Sequence, residues 1–190
     1  MSTYKAVIFD WAEDDVEKLY SLFEEKLLGI LDQFAEVKPY VLETIEELRK
    51  KDIKIGSTTG YTDKMMAIVT AKAKENGYEP DAWFSPDAVE GFGRPYPFMV
   101  FKNMQTLGIQ SVDQVMKVGD TVSDIKEGKN AGVYTVGVIE GSSEMGLSEA
   151  EYGALSEEEK KECIAKIKEK FLKAGADAVI RNMKELTDLL

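Results

Sequence analysis

Residues that could carry out phosphoryl chemistry stand directly after short apolar runs of this sequence, or in the loop between two of them. The set comprises Asp10, Thr59, Gly60, Arg94, Asp120, Thr121 and Asp124. Crowded carboxylates need a cation, and oxygen-rich sites suit Mg²⁺. Threonine hydroxyls, backbone amides and an arginine fork donate the hydrogen bonds that a phosphoryl group accepts. These residue types therefore predict a magnesium-dependent phosphoryl site.

The residue types that the sequence lacks narrow the chemistry further. It contains no histidine, which excludes Ser/His and Cys/His catalysis and histidine-ligated zinc. Aspartate can still serve as a nucleophile that forms an aspartyl phosphate. Simpler roles compete with this hypothesis: Asp10 as a solvated carboxylate, Thr121 as a helix N-cap, and Arg94 in a surface salt bridge.

Length and charge limit the partners that we expect. The chain has 190 residues and a formal net charge of −11, which repels nucleic acid and anionic lipid. No stretch approaches the roughly 20 apolar residues of a membrane span. Its single cysteine, Cys163, excludes an internal disulfide framework, and the first residues lack a secretory pattern. We therefore expect a cytoplasmic protein with neither a nucleic-acid nor a membrane partner. The phosphoryl-type residues above point instead to a small-molecule phosphonate or phosphate substrate.

Strands and helices that alternate along the chain would position these residues. Apolar runs predict strands at 6–9, 53–57, 115–118 and 133–138, and weaker strands at 82–84 and 178–180. Amphipathic segments predict helices at 16–34, 39–50, 63–76, 97–107 and 122–131, the last three followed by a glycine. This order predicts one α/β domain over 1–190, with a mostly parallel sheet and helices on both faces. The carboxyl ends of parallel strands share one edge, where the site residues would meet.

Four motifs, in the expected order and at these strand ends, resemble those of the haloacid dehalogenase superfamily. They are the run ending at Asp10, the turn containing Thr59, the loop containing Arg94, and the segment 119–124. The longer stretches 9–12, 55–62, 93–97, 117–124 and 136–138 resemble the phosphonatase (phosphonoacetaldehyde hydrolase) family in particular. Ala12 stands where most superfamily phosphatases have a second aspartate, as in the phosphonatase branch. The resemblance implies a Rossmann-like haloacid dehalogenase core.

The resemblance also implies a nucleophile and a metal site. Asp10 would be the nucleophile and a Mg²⁺ ligand, with the Ala12 carbonyl and Asp120 as further ligands. Asp124, also catalytic, would hold a metal-bound water or the neighbouring hydrogen-bond network. The implied reaction cleaves the carbon–phosphorus bond of phosphonoacetaldehyde through an aspartyl phosphate, giving acetaldehyde and phosphate. In the family, a lysine of a helical cap first forms an imine, or Schiff base, with the aldehyde.

A second group of residues would bind the substrate. By resemblance, Thr59 and the Gly60 amide would bind phosphoryl oxygens, with Thr121 beside them. Arg94 would stand where other superfamily members use a lysine, and Tyr61 would either contact the substrate or pack against the protein. Thr59 and Arg94 would thus take part in catalysis as well as in binding.

The sequence departs from the family between Ala12 and Glu13, where most of the cap is missing, including the imine-forming lysine. Three explanations are open: deletion of the cap, a natural relative without one, or cap residues that this sequence leaves out. Two alternative functions follow. The chain could be a capless phosphatase on small phosphate esters, or a non-catalytic module that binds Mg²⁺ and phosphate. The resemblance implies a homodimer if the cap is present.

Overall fold

The computed structural model describes residues 26–190, within which helices and strands alternate. The strands are β1 (Gly56–Thr58), β2 (Ala82–Phe84), β3 (Met116–Gly119), β4 (Tyr134–Val138) and β5 (Ala178–Ile180). The α-helices are α1 (Val41–Lys50), α2 (Asp63–Glu75), α3 (Phe98–Leu107), α4 (Val122–Ala131), α5 (Glu149–Ala154) and α6 (Glu157–Ala174). Short 3-10 helices cover Leu31–Phe34, Pro86–Val89, Val112–Gln114 and Met183–Leu189. The expected strand at 6–9 lies outside the described residues.

All described strand pairs are parallel, as the alternation of elements predicts. β1 pairs with β2, with Ser57 opposite Trp83. β4 lies between β3 and β5, so that Val136 faces both Val118 and Ala178 in the register. The segments after β1 and β3 therefore both leave from carboxyl ends of strands, where α/β proteins build their sites.

The three-stranded sheet is covered on both faces. Alternate residues of a strand point to opposite faces, and Val136 and Val138 of β4 pack with Leu48 of α1 and Leu186 on one face. The other face of β4 lies under α6, whose Phe171 ring fits against Gly137. A second core there combines Ile125, Ile139, Ile167, Phe171 and Ala176. The predicted α/β fold with helices on both faces is confirmed.

Two of the predicted elements differ from the structure by more than about two residues, and the other described ones agree more closely. The strand expected at 53–57 is observed instead at Gly56–Thr58 (β1), because its backbone hydrogen bonds extend only as far as its short partner β2. The Ile55 amide donates instead to the Asp81 carboxylate at 2.8 Å. The single helix expected at 16–34 is wrong in its described part, where a helical turn at 26–28 is followed by a break and the 3-10 helix Leu31–Phe34. Gly29 stands at the break, and glycine disfavours a helix interior.

The helix ends after α3 and α4 agree with the sequence. Gly108 and Gly132 have φ values of 72° and 74°, the left-handed conformation that ends helices and favours glycine. Within residues 26–190, no helix combines the length and apolar character needed to cross a membrane.

Candidate active site

Three segments meet at the carboxyl edge of the strands: the turn after β1, the loop that leads to α3, and the first turn of α4. A Cβ atom added to Gly60 would lie 3.2 Å from Nη2 of Arg94. Nη1 of Arg94 donates to Oδ1 of Asp124 at 2.5 Å. The structure thus brings Gly60, Arg94 and Asp124 together from three separate parts of the chain.

Asp124 is buried, with 5% of its side chain exposed, and both carboxylate oxygens are hydrogen-bonded. Oδ1 faces the cations of Arg94 at 2.5 Å and Lys117 at 3.2 Å. Oδ2 accepts a hydrogen bond from the Thr121 hydroxyl at 2.6 Å. Burial would raise the pKa of Asp124, but the Lys117 and Arg94 charges and the hydrogen bonds outweigh it and hold the pKa below its ordinary value. Asp124 is therefore ionised at neutral pH.

Local sequence fixes the start of α4. Thr121 is the N-cap, and its Oγ1 accepts from the Asp124 amide at 3.1 Å while it donates to the carboxylate. The preceding Gly119 is required because Asp124 folds back over it: a Cβ at Gly119 would lie 2.2 Å from the Asp124 Cβ. The predicted N-cap role of Thr121 is confirmed, and it brings the hydroxyl beside Asp124.

The loop that carries Arg94 is anchored at both ends. At its start, the buried Ser85 donates to Asp63 at 2.5 Å, and Asp87 accepts from the Asp63 amide at 2.7 Å. At its end, the Asn130 amide group donates to the Pro95 carbonyl at 2.8 Å, which ties the loop to α4. The Arg94 side chain is 20% exposed. Its ion pair is therefore largely shielded from solvent, unlike the surface salt bridge considered from sequence.

The turn after β1 presents Thr59, Gly60 and Tyr61. The Thr59 amide donates to the Phe84 carbonyl at 3.2 Å, which continues the β1–β2 pairing, and Thr59 Oγ1 accepts from the Tyr61 amide at 3.0 Å. Tyr61 is 40% exposed. Thr59 and Gly60 thus follow the strand end as the sequence predicts, and the roles of all three residues stay predictions.

Asp120, which follows β3, contacts Lys38 and the segment after β4. Its Oδ2 accepts from the Lys38 ammonium at 3.1 Å and from the Ser143 amide at 3.3 Å. Residues 26–190 hold no group of three or more carboxylate or cysteine side chains arranged for a metal. Two of the three expected ligands, Asp10 and Ala12, lie outside the described residues. A partly exposed carboxylate on the carboxyl edge is nevertheless a donor that suits Mg²⁺.

Sequence reasoning missed the residues beneath Asp124. Lys117 of β3 contacts Glu127 of α4 at 2.9 Å, and Glu127 is completely buried. The Thr58 hydroxyl accepts from Lys117 at 2.7 Å and donates to Glu127 at 2.8 Å. A lysine inside the apolar run 115–118 could have indicated them, because a buried cation requires a partner.

Comparison with known proteins identifies the family. A model of the haloacid dehalogenase-like hydrolases matches residues 3–132, more than half of the chain. The chain belongs to the haloacid dehalogenase-like hydrolase family. The resemblance predicted from its motifs is confirmed.

Within this family, the chain is similar to several phosphonoacetaldehyde hydrolases. The chain is 51% identical over 180 residues to the phosphonoacetaldehyde hydrolase of Lysinibacillus sphaericus. The aligned segment covers 95% of this chain and 67% of the relative. The chain is 49% identical over 178 residues to a bifunctional phosphonoacetaldehyde hydrolase/aminoethylphosphonate transaminase of Clostridioides difficile, but covers only 28% of that protein. The phosphonatase resemblance is thereby confirmed.

A solved structure has the same fold. The crystal structure of a phosphonoacetaldehyde hydrolase-like protein from Oleispira antarctica superimposes with a TM-score of 0.87 at 34% identity. The match covers 95% of this chain and 65% of the other. The chain spans about two thirds of the length of such relatives, and the junction between Ala12 and Glu13 lies outside the described residues.

Proposed function

We propose that this chain is the phosphoryl-transfer core of a magnesium-dependent phosphonoacetaldehyde hydrolase that uses Asp10 as its nucleophile. The observation that supports it most is the meeting of Gly60, Arg94 and the ionised Asp124 at one edge of the strands. The names of the relatives supply the substrate class.

Arg94 has the chemistry of a phosphoryl-binding group. Nη1 of the guanidinium donates to Asp124, while Nη2 lies beside the backbone of Gly60. This arrangement directs the fork towards the turn that carries Thr59. Charge-assisted hydrogen bonds from a fixed guanidinium to phosphoryl oxygens are short and directional. Arg94, Thr59 and the Gly60 amide would together hold the transferred group in line with its acceptor.

Asp120 would help to hold Mg²⁺, with Asp10 and the Ala12 carbonyl as the other protein ligands. The bound ion would offset the negative charge that develops on the phosphoryl oxygens. Asp124 has a different role, because its oxygens are occupied by Arg94, Lys117 and Thr121. It would orient Arg94 and Thr121 as part of the hydrogen-bond network.

The proposed reaction transfers the phosphoryl group to a carboxylate oxygen of Asp10. In phosphonoacetaldehyde, the carbon–phosphorus electron pair must move into an adjacent acceptor, and an imine of the aldehyde with a lysine supplies one. The enamine that results would be protonated at carbon and hydrolysed to acetaldehyde and the free lysine. Water then attacks the aspartyl phosphate, which releases phosphate and regenerates Asp10. The family's imine-forming lysine has no counterpart in this sequence. Alone, the chain should therefore transfer phosphoryl groups from oxygen esters more readily than from carbon.

Two substrates distinguish cleavage of a carbon–phosphorus bond from hydrolysis of a phosphate ester. The chain would be incubated with phosphonoacetaldehyde or with p-nitrophenyl phosphate, with MgCl₂ or EDTA, and released phosphate would be measured. We expect hydrolysis of the ester that requires Mg²⁺ and is abolished in Asp10→Asn. Cleavage of phosphonoacetaldehyde, with inactivation by borohydride only when substrate is present, would reveal an imine-forming lysine in this chain. Lack of phosphate release from both substrates would contradict the proposal.

The exposed surroundings of Arg94 favour a second candidate, an unselective phosphatase. Phe92, Tyr96 and Phe98 beside it are each more than 40% exposed, so that this side of the site is open in the described structure. Comparable turnover of several unrelated phosphate esters would favour this function. Binding of Mg²⁺ and phosphate without turnover would favour a non-catalytic module instead.

Cytoplasmic location and a homodimer that depends on a cap are part of the same proposal. The low cysteine content is compatible with a reducing compartment. Size-exclusion chromatography with light scattering would determine the oligomeric state, and a monomer is expected if the cap forms the dimer contact.

A further inference from the structure

The most unusual feature outside the predicted site is a buried ion pair directly beneath it. Only 11% of the Lys117 side chain is exposed, and none of Glu127. Lys117 lies in β3 and Glu127 in α4, so that the pair joins a strand to the helix that carries Asp124. Charges at such depth are costly unless they are paired and hydrogen-bonded.

All three protons of the Lys117 ammonium have an acceptor. They face Glu127 Oε2 at 2.9 Å, Asp124 Oδ1 at 3.2 Å and Thr58 Oγ1 at 2.7 Å. Lys117 therefore connects the end of β1, the middle of β3 and the first turns of α4. Thr58 immediately precedes the predicted phosphate-binding turn, and Asp124 holds Arg94. The Lys117 ammonium thus contacts both Thr58, next to the predicted phosphate-binding turn, and Asp124, which holds Arg94.

The charges are balanced across the cluster. Arg94 and Lys117 supply two positive charges, and Asp124 and Glu127 supply two negative charges. Arg94 and Lys117 share Oδ1 of Asp124, and Lys117 divides its contacts between that oxygen and Glu127. Without Glu127, Lys117 would compete directly with Arg94 for the same acceptor.

Stability alone explains this arrangement poorly. Oε1 of Glu127 is buried with no hydrogen-bond partner among the described residues. A buried ion pair is often no more stabilising than apolar side chains of similar volume. The energetic cost of burying Lys117 and Glu127 is understandable if this pair holds Asp124 and Thr58 in place.

We propose that Lys117 and Glu127 are positioning residues that fix Arg94, through Asp124, and the Thr59–Gly60 turn, through Thr58, for binding a phosphoryl group. Neither is required to touch the substrate. The assignment deepens the proposed function and depends on it for the identity of the ligand, but the ordering of Arg94 is independent of the ligand.

The test is a neutral replacement of the pair. Lys117→Met/Glu127→Gln preserves the approximate volume and an acceptor for Thr58 while it removes both charges together. Lys117→Met alone is unsuitable because it would leave Glu127 buried without its cation. Glu127→Gln alone is the second variant, since Lys117 keeps Asp124 as a partner and folding is not threatened by an unpaired carboxylate.

The control removes another ion pair that involves the same helix. Lys129 of α4 contacts Asp177 at 2.8 Å, and both side chains are partly exposed. Lys129→Met/Asp177→Asn therefore also neutralises a lysine–carboxylate pair, but one with no described contact to Arg94 or Asp124. Thermal unfolding of every protein would be measured first, and binding experiments performed well below the lowest transition.

Two readouts then decide the inference. The heteronuclear NOE of the Arg94 Nε–H group reports its order without ligand or turnover, and calorimetry with inorganic phosphate in MgCl₂ reports binding. We expect the double variant to mobilise Arg94 and to weaken phosphate binding about tenfold or more, the scale of one charge-assisted hydrogen bond. Glu127→Gln should change both in the same direction, and the control should change neither.

An Arg94 that stays as ordered as in the wild type in both variants would overturn the inference, as would a control that mobilises it equally. Changes in unfolding temperature alone would likewise assign the pair a purely structural role. If the wild type binds no phosphate, the proposed function fails. Selective loss of Arg94 order would then still establish positioning.

Discussion

Asp124 links the two cations of the site, and its contribution to stability should depend on pH. Its pKa in the folded protein lies below the ordinary value of 3.8 because Lys117 and Arg94 favour the carboxylate despite burial. Its stabilising effect is therefore fully present well above pH 3.8 and is lost as the pH falls through the folded-state pKa.

Asp124→Asn should consequently lower the free energy of unfolding at neutral pH, and the difference from wild type should shrink in acid. Urea unfolding followed by circular dichroism at a series of pH values would measure it. Asp188→Asn, at an exposed position near the C-terminus, is the control. A difference that is constant with pH would contradict the ionised state assigned to Asp124.

Gly119 tests the close approach of Asp124 to β3. A Cβ at this position would lie 2.2 Å from the Asp124 Cβ, so Gly119→Ala must displace the carboxylate. We expect a loss of about 1–3 kcal/mol in the free energy of unfolding, typical of overpacking, together with weaker phosphate binding. Gly153→Ala in α5 has nothing within 4 Å and should be neutral or stabilising. Equal effects of both substitutions would be inconsistent with the described turn.

Helices are stabilised by capping hydrogen bonds at their ends as well as by packing against the core. α6 begins with a capping box, in which Ser156 Oγ accepts from the Glu159 amide at 3.3 Å and the Glu159 carboxylate accepts from the Ser156 amide at 2.8 Å. Such caps satisfy amides that the helix itself leaves without a partner.

Ser156→Ala should therefore destabilise the protein by about 1 kcal/mol, measured by urea unfolding. Ser143→Ala, in the exposed loop after β4, provides the comparison because the described hydrogen bond of Ser143 uses its backbone amide. If Ser156→Ala had no effect, α6 would not depend on this cap.

The sequence predicted the helices and strands better than the contacts between them. Apolar runs located the strands because burial requires them, and glycines located helix ends because φ is positive there. The β1 boundary could not be predicted in the same way, since it depends on how far β2 extends beside it. The break near Gly29 was missed because apolar spacing alone does not reveal a change from α to 3-10 geometry.

The sequence located the residues of the candidate site to different degrees, and their roles stay predictions. Thr59, Thr121 and Asp124 were chosen because their types suit phosphoryl binding and they follow strand ends. Arg94 was chosen because its guanidinium suits phosphoryl binding and it lies in the loop between two strands. Lys117 and Glu127 were missed because their significance comes from contact between β3 and α4, which are brought together only by folding. Asp10 and Ala12, with the single-domain assignment over 1–190, stay predictions because they involve residues outside the described part.

At the scale of the whole molecule, α6 covers the sheet face opposite α1. Phe171 is fully buried and its ring lies against Gly137, where an added Cβ would come within 2.6 Å of it. Phe171→Ala should cost about 3–5 kcal/mol in the free energy of unfolding, from lost burial and the cavity left behind.

The exposed Leu172, next in the same helix, is the control, and Leu172→Ala should have a much smaller effect in the same denaturation assay. Similar losses for the two substitutions would contradict the packing of α6 on β4. Because β4, which contains Gly137, also pairs with β3, this core lies next to the strand that precedes the candidate site.

The proposed function depends most on Arg94 as the cation that binds the phosphoryl oxygens, and calorimetric binding of inorganic phosphate in MgCl₂ tests this most directly. The comparison is between wild type, Arg94→Met and Arg49→Met, an arginine of α1 whose guanidinium donates to the Glu79 carbonyl. We predict that Arg94→Met weakens phosphate binding by roughly tenfold to a hundredfold, as expected for charged hydrogen bonds, and that Arg49→Met binds like wild type. Equal affinity of wild type and Arg94→Met would contradict the account.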